Sequence, residues 1–305
     1  MYRHLRRLES MALATVSLYS IVRPRTPNEH STIANIDTVV LPLRPYRNLT
    51  TMSAAMFALH PDALVLNHAD VRLKRIPWAD IIAHPKPKTI RQFVDVACVM
   101  AKGGKRGDFG GNILLAHAFD AAEVRNAYEK RFGNVVLKQN ARVLFWKDSM
   151  RVRNRMYLNG TTESQLIETG NACGKRIVFF QPVRHPIDCA LSNIRTGHYR
   201  HLSEIDDFEA VLRRVIEEIK HFKSVKMAYP NNATWLFEDD IDRESLVELC
   251  EFFGITPDAR WLDSVTTHLQ TRSRERSNEE LSVYRRIVDE LCSHDEELRM
   301  KLLTM

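Results

Sequence analysis

The sequence predicts an α/β fold, with a central, mainly parallel β-sheet flanked by helices. Short β-branched and aromatic runs, TVVLPL from Thr38 and RIVFFQPV from Arg176, have the near-continuous apolar character of strands buried on both faces. Apolar residues recur at helical spacing elsewhere, most clearly at 208, 211, 212, 215, 216 and 219. Strand and helix patterns alternate along the chain, the order that builds a parallel sheet with crossover helices.

Element by element, Arg3, Arg6 and Arg7 precede an apolar stretch over residues 11–22 that contains Thr15, Ser17 and Ser20. It is shorter than the roughly 20 residues a membrane span requires, so an amphipathic first helix is expected, with no span and no leader. A strand starts at Thr38 and stops at Pro42 or Pro45, and a helix follows over 50–59, closed by His60 and Pro61. Prolines 77, 85 and 87 and glycines 103, 104, 107, 110 and 111 make residues 70–111 loop-rich around one helix at 89–102. NVVLK, 134–138, reads as a buried strand, as does 176–183. A helix covers 207–222, a short strand 234–237, and a further helix 243–253, with Gly254 placed to end it in a left-handed turn. One domain is expected, made of an N-terminal helix and linker (1–36), a core (37–255) and a C-terminal helical segment (256–305).

Forty-four Lys and Arg against 38 Asp and Glu give a net charge of +6, and 44% of the chain is hydrophobic. The chain can bury a sizeable core, and its mild basic excess suits an anionic ligand. There is no zinc-finger spacing, no RNP-like aromatic motif and no long basic run, so nucleic acid is not an expected partner. The five cysteines are an odd number without a C-x-x-C pair, the usage of a reduced, cytoplasmic protein.

Chemistry concentrates in two stretches. The first is Arg184 to Ser192, RHPIDCALS, directly after a strand. Ligands of open α/β sheets sit beyond the carboxyl ends of strands, where Arg184 lies. Pro186 opens a helix, Asp188 complements its dipole, and Ser192 sits far enough along for hydroxyl and guanidinium to meet on one phosphate. The alternative is an Arg184–Asp188 ion pair with Ser192 as an ordinary helix residue. The second stretch is PYRNLTT, 45–51, between the first strand and the first core helix, where a phosphate-binding loop belongs.

VRHPIDCALSN resembles the 3′-phosphate-binding segment of the PAPS-dependent sulfotransferases, whose architecture is like that of P-loop nucleotide hydrolases. PYRNLTT is similar to their phosphosulfate loop, Pro-x-x-Arg/Lys-Ser-Gly-Thr-Thr/Ser. HPDALVLNHA and WLFEDDIDRESLVELCEFFGI, 235–255, resemble segments that follow in the same order. The resemblance spans 37–255. It implies PAPS as sulfuryl donor, PAP as product and no metal, with Arg184 and Ser192 on the 3′ phosphate. It further implies Arg47, Asn48, Leu49, Thr50 and Thr51 around the phosphosulfate, and a basic loop of Arg272, Arg274 and Arg276 over the 3′ phosphate. Asn48 and Leu49 depart from the family's Ser and Gly; a Leu forced to positive φ costs roughly 1–2 kcal/mol.

In-line sulfuryl transfer needs a cation on the leaving oxygen and a proton acceptor. Lys138, ending NVVLK, is the first candidate for the cation and Lys147 the second; for the base, His117 and His68 stand side by side, with Asp148 a further option. His60 reads as a helix-end residue. The acceptor is a hydroxyl or, second, an amine of a small molecule or glycan. Two other readings stay open. One is a non-catalytic relative that binds PAP; the other is a P-loop-like kinase, although G-x-x-x-x-G-K-[ST] is missing.

Overall fold

A computed structural model describes residues 24–43, 45–104, 111–269 and 274–305. The helix expected at 11–22 lies outside these residues. Five parallel strands form one sheet in the order β2-β3-β1-β4-β5: β1 Thr38–Pro42, β2 Ala63–Asn67, β3 Val143–Lys147, β4 Arg176–Val183 and β5 Ala233–Phe237. Register pairs Val39 of β1 with Leu144 of β3 and Ile177 of β4.

Helices cover both faces, and alternation along the strands separates two cores. Val39, Leu41, Leu144 and Phe179 face the helix Pro87–Ala101. Val40, Phe145 and Phe180 face the helices Thr50–Leu59, Arg243–Phe253 and Ala259–His268. A third cluster packs Pro186–Arg195, Phe208–Ala228, Asn278–Leu291 and Glu296–Thr304 against Val183 and Phe237. From β1 the chain goes to β2 and β3 on one side before crossing to β4 and β5 on the other. The crevice at such a reversal, beyond the carboxyl ends, is where open α/β sheets bind ligands.

Most expected elements stand within a few residues of their predicted limits. The helix read as 207–222 continues to Ala228, and Gly254 ends the helix Arg243–Phe253 at φ 72°. NVVLK is the error. Residues 134–138 are irregular, and the strand is the run that follows, VLFWK. NVVLK has β propensity, but VLFWK is the run that pairs on both sides, with β1 and β2. β2, from ALVLN, completes that edge.

Candidate active site

The loop after β1 turns through two left-handed residues, neither a glycine: Arg47 at φ 66° and Leu49 at φ 56°. Each costs about 1–2 kcal/mol over a right-handed conformation, so tertiary contacts must hold them. Asn48 is 0% exposed, and its Oδ1 accepts the backbone N–H of Arg184 at 2.6 Å. Asn193 Nδ2 donates to the Tyr46 carbonyl at 2.8 Å. Arg47 Nε donates to Ser192 Oγ at 2.9 Å. The loop is thereby stapled to the end of β4 and to the helix Pro186–Arg195. Leu49 is the N-cap of the helix Thr50–Leu59 and makes no side-chain cap bond. The positive end of that dipole faces the loop, and Thr50 and Thr51 are the first residues of the helix.

Positive charge gathers here with little to neutralise it. Arg47 is held below the ordinary guanidinium range, first by burial and then by the charges of Arg195 and Arg184. Its hydrogen-bond partner is a hydroxyl rather than a carboxylate. Arg184 is 26% exposed and has Glu238 Oε2 at 3.9 Å; Glu238 also accepts the His185 N–H at 2.8 Å. The Arg184–Asp188 alternative is not realised. Asp188 instead takes Arg274 Nε at 3.1 Å and Arg276 Nη2 at 2.9 Å. Those two arginines thus tie the chain before the helix Asn278–Leu291 onto the helix that carries Ser192, and Arg276 presents a neutralised pair. Arg272 lies outside the described residues. Arg195 is legible only in hindsight, three residues after Ser192 on a helix and so on the same face.

On the other side of the loop, at the carboxyl ends of β2 and β3, stand His68, Lys147 and Asp148. Asn67 and Lys147 are register partners, and His68 N–H donates to the Lys147 carbonyl at 3.1 Å. His68 Nδ1 lies 3.5 Å from Asp148 Oδ1, and Asp148 is completely buried. His68 is itself left-handed, at φ 49°. β3 adjoins β1, so Lys147 and Asp148 sit about one strand spacing, roughly 5 Å, from the phosphate-type loop and His68, after β2, about two, and the arginines flank the loop's opposite side.

Lys138 is elsewhere. Its ammonium donates to the carbonyls of Ala58, His60 (2.6 Å) and Ala63 (2.9 Å), at the amino end of β2 and the end of the helix Thr50–Leu59. Burial first, then Arg131, drives its pKa well below the ordinary ammonium range. It serves as a helix cap at the far end of the sheet, a correction to its expected place beside the leaving group. His117, in a short turn, is 84% exposed and pairs with Asp120 at 2.7 Å. Neither joins the cluster. His60 ends its helix as expected, its N–H donating to the Phe57 carbonyl at 3.1 Å, while its Nδ1 accepts the Asp62 N–H at 3.0 Å.

Among the described residues no helix is long and apolar enough to cross a membrane, and no group of three or more His, Cys, Asp or Glu is arranged to hold a metal. All five cysteines are buried thiols. The chain matches no protein-family model and no curated protein. Among solved structures it is similar to the sulfotransferase domain of the Synechococcus PCC 7002 olefin synthase. That likeness has 16% identity and a TM-score of 0.36, over 78% of this chain and 80% of that one. Nothing about activity follows at that level, and the chemistry of the site rests on its own residues.

Proposed function

We propose that the protein is a sulfotransferase that uses PAPS as donor and a hydroxyl of a small molecule or glycan as acceptor. One observation carries this reading: Arg47 of the loop after β1 meets Ser192 of the segment after β4 at 2.9 Å, beside Arg184. Two anion-binding stretches more than 130 residues apart in sequence thereby become one polycationic crevice. Its residues fit a ligand with phosphate at both ends of a nucleoside. Among the described residues Arg47 hydrogen-bonds a hydroxyl rather than a carboxylate, the helix Thr50–Leu59 starts without a side-chain cap, and the buried Asn48 Nδ2 has no hydrogen-bond partner.

When bound, PAPS supplies an activated sulfuryl group. Arg184 and Ser192 bind the 3′ phosphate, and the guanidinium fork with a small hydroxyl gives that site its geometry. Arg47, Thr50, Thr51 and the first amides of the helix Thr50–Leu59 hold the 5′ end, with Asn48 and Leu49 shaping the turn. Lys147, at the end of β3, carries positive charge to the side where the leaving oxygen forms. His68 accepts the acceptor's proton, with Asp148 against its other nitrogen. Lys138 and His117 have no part in this arrangement.

Leu49 favours a second reading, a PAP-binding protein without turnover, because its side chain stands where a glycine would let the backbone approach an anion most closely. Calorimetric titration with PAP, adenosine 5′-phosphate and ATP with Mg²⁺ tests both. Micromolar binding that requires the 3′ phosphate supports the donor site, and release of PAP from PAPS in the presence of acceptors then separates enzyme from binder. Preference for ATP with Mg²⁺ would point to a kinase and overturn both readings.

A further inference from the structure

The turn that carries His68 is gripped at a second point. Asp148 directly precedes the helix Ser149–Asn159, and Arg155 lies seven residues further on, two turns along the same face. Asp148 Oδ2 accepts the Asp70 N–H at 3.2 Å. Arg155 Nη1 donates to Asp70 Oδ1 at 2.6 Å, and Nη2 donates to Asp80 Oδ2. Asp80 in turn caps the next turn through the N–H groups of Ile82 at 3.1 Å and Ala83 at 3.2 Å. One guanidinium therefore clamps both ends of segment 70–80 onto the helix whose start supplies Asp148. All four of these side chains are largely or wholly buried.

His68 stands two residues before Asp70 with a left-handed backbone, a conformation that persists only where surrounding contacts over-determine it. Asp70 is held at both its N–H and its carboxylate, so the path of residues 68–70 is set by the helix face. An arginine suits this task better than a lysine, because its fork reaches two carboxylates at fixed angles.

We propose that Arg155 is a positioning residue for His68, holding its imidazole against Asp148 as the Nδ1–H tautomer with Nε2 as the basic nitrogen. The use of that nitrogen as a catalytic base rests on the sulfotransferase reading; the positioning does not.

The test is long-range ¹H–¹⁵N spectroscopy of the full chain labelled at histidine, with His68 assigned by comparison with His68→Gln. Wild type is expected to show one tautomer at His68, with Nδ1 protonated. Arg155→Lys keeps the charge but loses the fork, and the His68 signals are expected to move toward a tautomer mixture while PAP affinity stays within about twofold of wild type. Asp148→Asn is expected to move them further. Should Arg155→Lys not fold, Asp70→Asn carries the same expectation, since it keeps the N–H to Asp148 and removes only the carboxylate that Arg155 holds. An Nε2–H tautomer in wild type, or His68 signals unchanged in Arg155→Lys, overturns the proposal. Failure of wild type to bind PAP removes the sulfotransferase reading instead, and the spectra still decide the role of Arg155.

Discussion

Replacing Arg184 with alanine separates the two ends of the proposed donor site. Its guanidinium is largely buried, with one carboxylate, Glu238, at 3.9 Å. A charge-assisted hydrogen bond contributes about 1.5–3 kcal/mol net. The deletion also strips Glu238 of its cation, leaving a buried carboxylate near the incoming 3′ phosphate. Two like charges that a guanidinium had bridged stand about 7 Å apart and, at an effective dielectric of 20, repel by about 2 kcal/mol before screening and relaxation. Allowing for both, a loss of about 3–4 kcal/mol is expected, or roughly 10²- to 10³-fold in Kd for PAP. Adenosine 5′-phosphate lacks the 3′ group, so its weaker affinity should change by no more than about threefold. Calorimetry on both ligands at one salt concentration reads the difference, and Arg184→Ala/Glu238→Gln should recover about tenfold of the PAP loss, because the repelling charge is gone. An equal loss for both ligands, or no recovery in the double variant, would refute the assignment of Arg184 to the 3′ phosphate.

Leu49→Gly relieves a left-handed leucine, a gain of about 1–2 kcal/mol offset by glycine's entropy and the lost side chain; stability should stay within about 1 kcal/mol while PAP binds several-fold tighter, and weaker binding would show that Leu49 itself contacts the ligand. Lys138→Met removes one buried donor shared by three carbonyls and should destabilise by about 3 kcal/mol in thermal or urea unfolding, with PAP affinity unchanged; a selective loss of donor binding or turnover would restore Lys138 to the site. His60 and His185 are both lowered from 6.5 to about 4, by burial first and then by Lys138 and Arg276 respectively. Between about pH 4 and 6.5 the unfolded chain binds protons there that the folded chain refuses, so each adds stability that is complete above pH 6.5 and lost on acidification, at up to about 1.4 kcal/mol per pH unit. Urea titrations at pH 7 and pH 5 should show this fall, and His60→Gln should remove about half of it; an identical fall in the variant would exclude His60 as a source.

Much of the scaffold was legible because its signals are local. The helix Thr50–Leu59 begins at the threonine pair and stops before His60 and Pro61 as its pattern requires, and RIVFFQPV coincides with β4 residue for residue. The pairing of ALVLN and VLFWK was not legible. NVVLK has β propensity of its own, and strand status depends on which run finds neighbours on both sides. That one choice put Lys138 ahead of Lys147 as the candidate cation, because both end an apolar run and only Lys147 ends a strand. Left-handed Arg47 and Leu49 carried no glycine to announce them; their conformation is held by Asn48 on the Arg184 N–H and Asn193 on the Tyr46 carbonyl, bonds that span well over a hundred residues.

The amino-acid sequence by itself determined the class of fold, the order of most of its elements and two candidate anion-binding stretches, because periodicity, prolines and residue chemistry act within a few residues of chain. Only the tertiary structure decided which stretches share a crevice, which lysine and histidine stand at its edge and which carboxylates neutralise which arginines. Those choices depend on parallel pairing and on burial, and charges in a crevice are set by neighbours that folding brings from elsewhere in the chain.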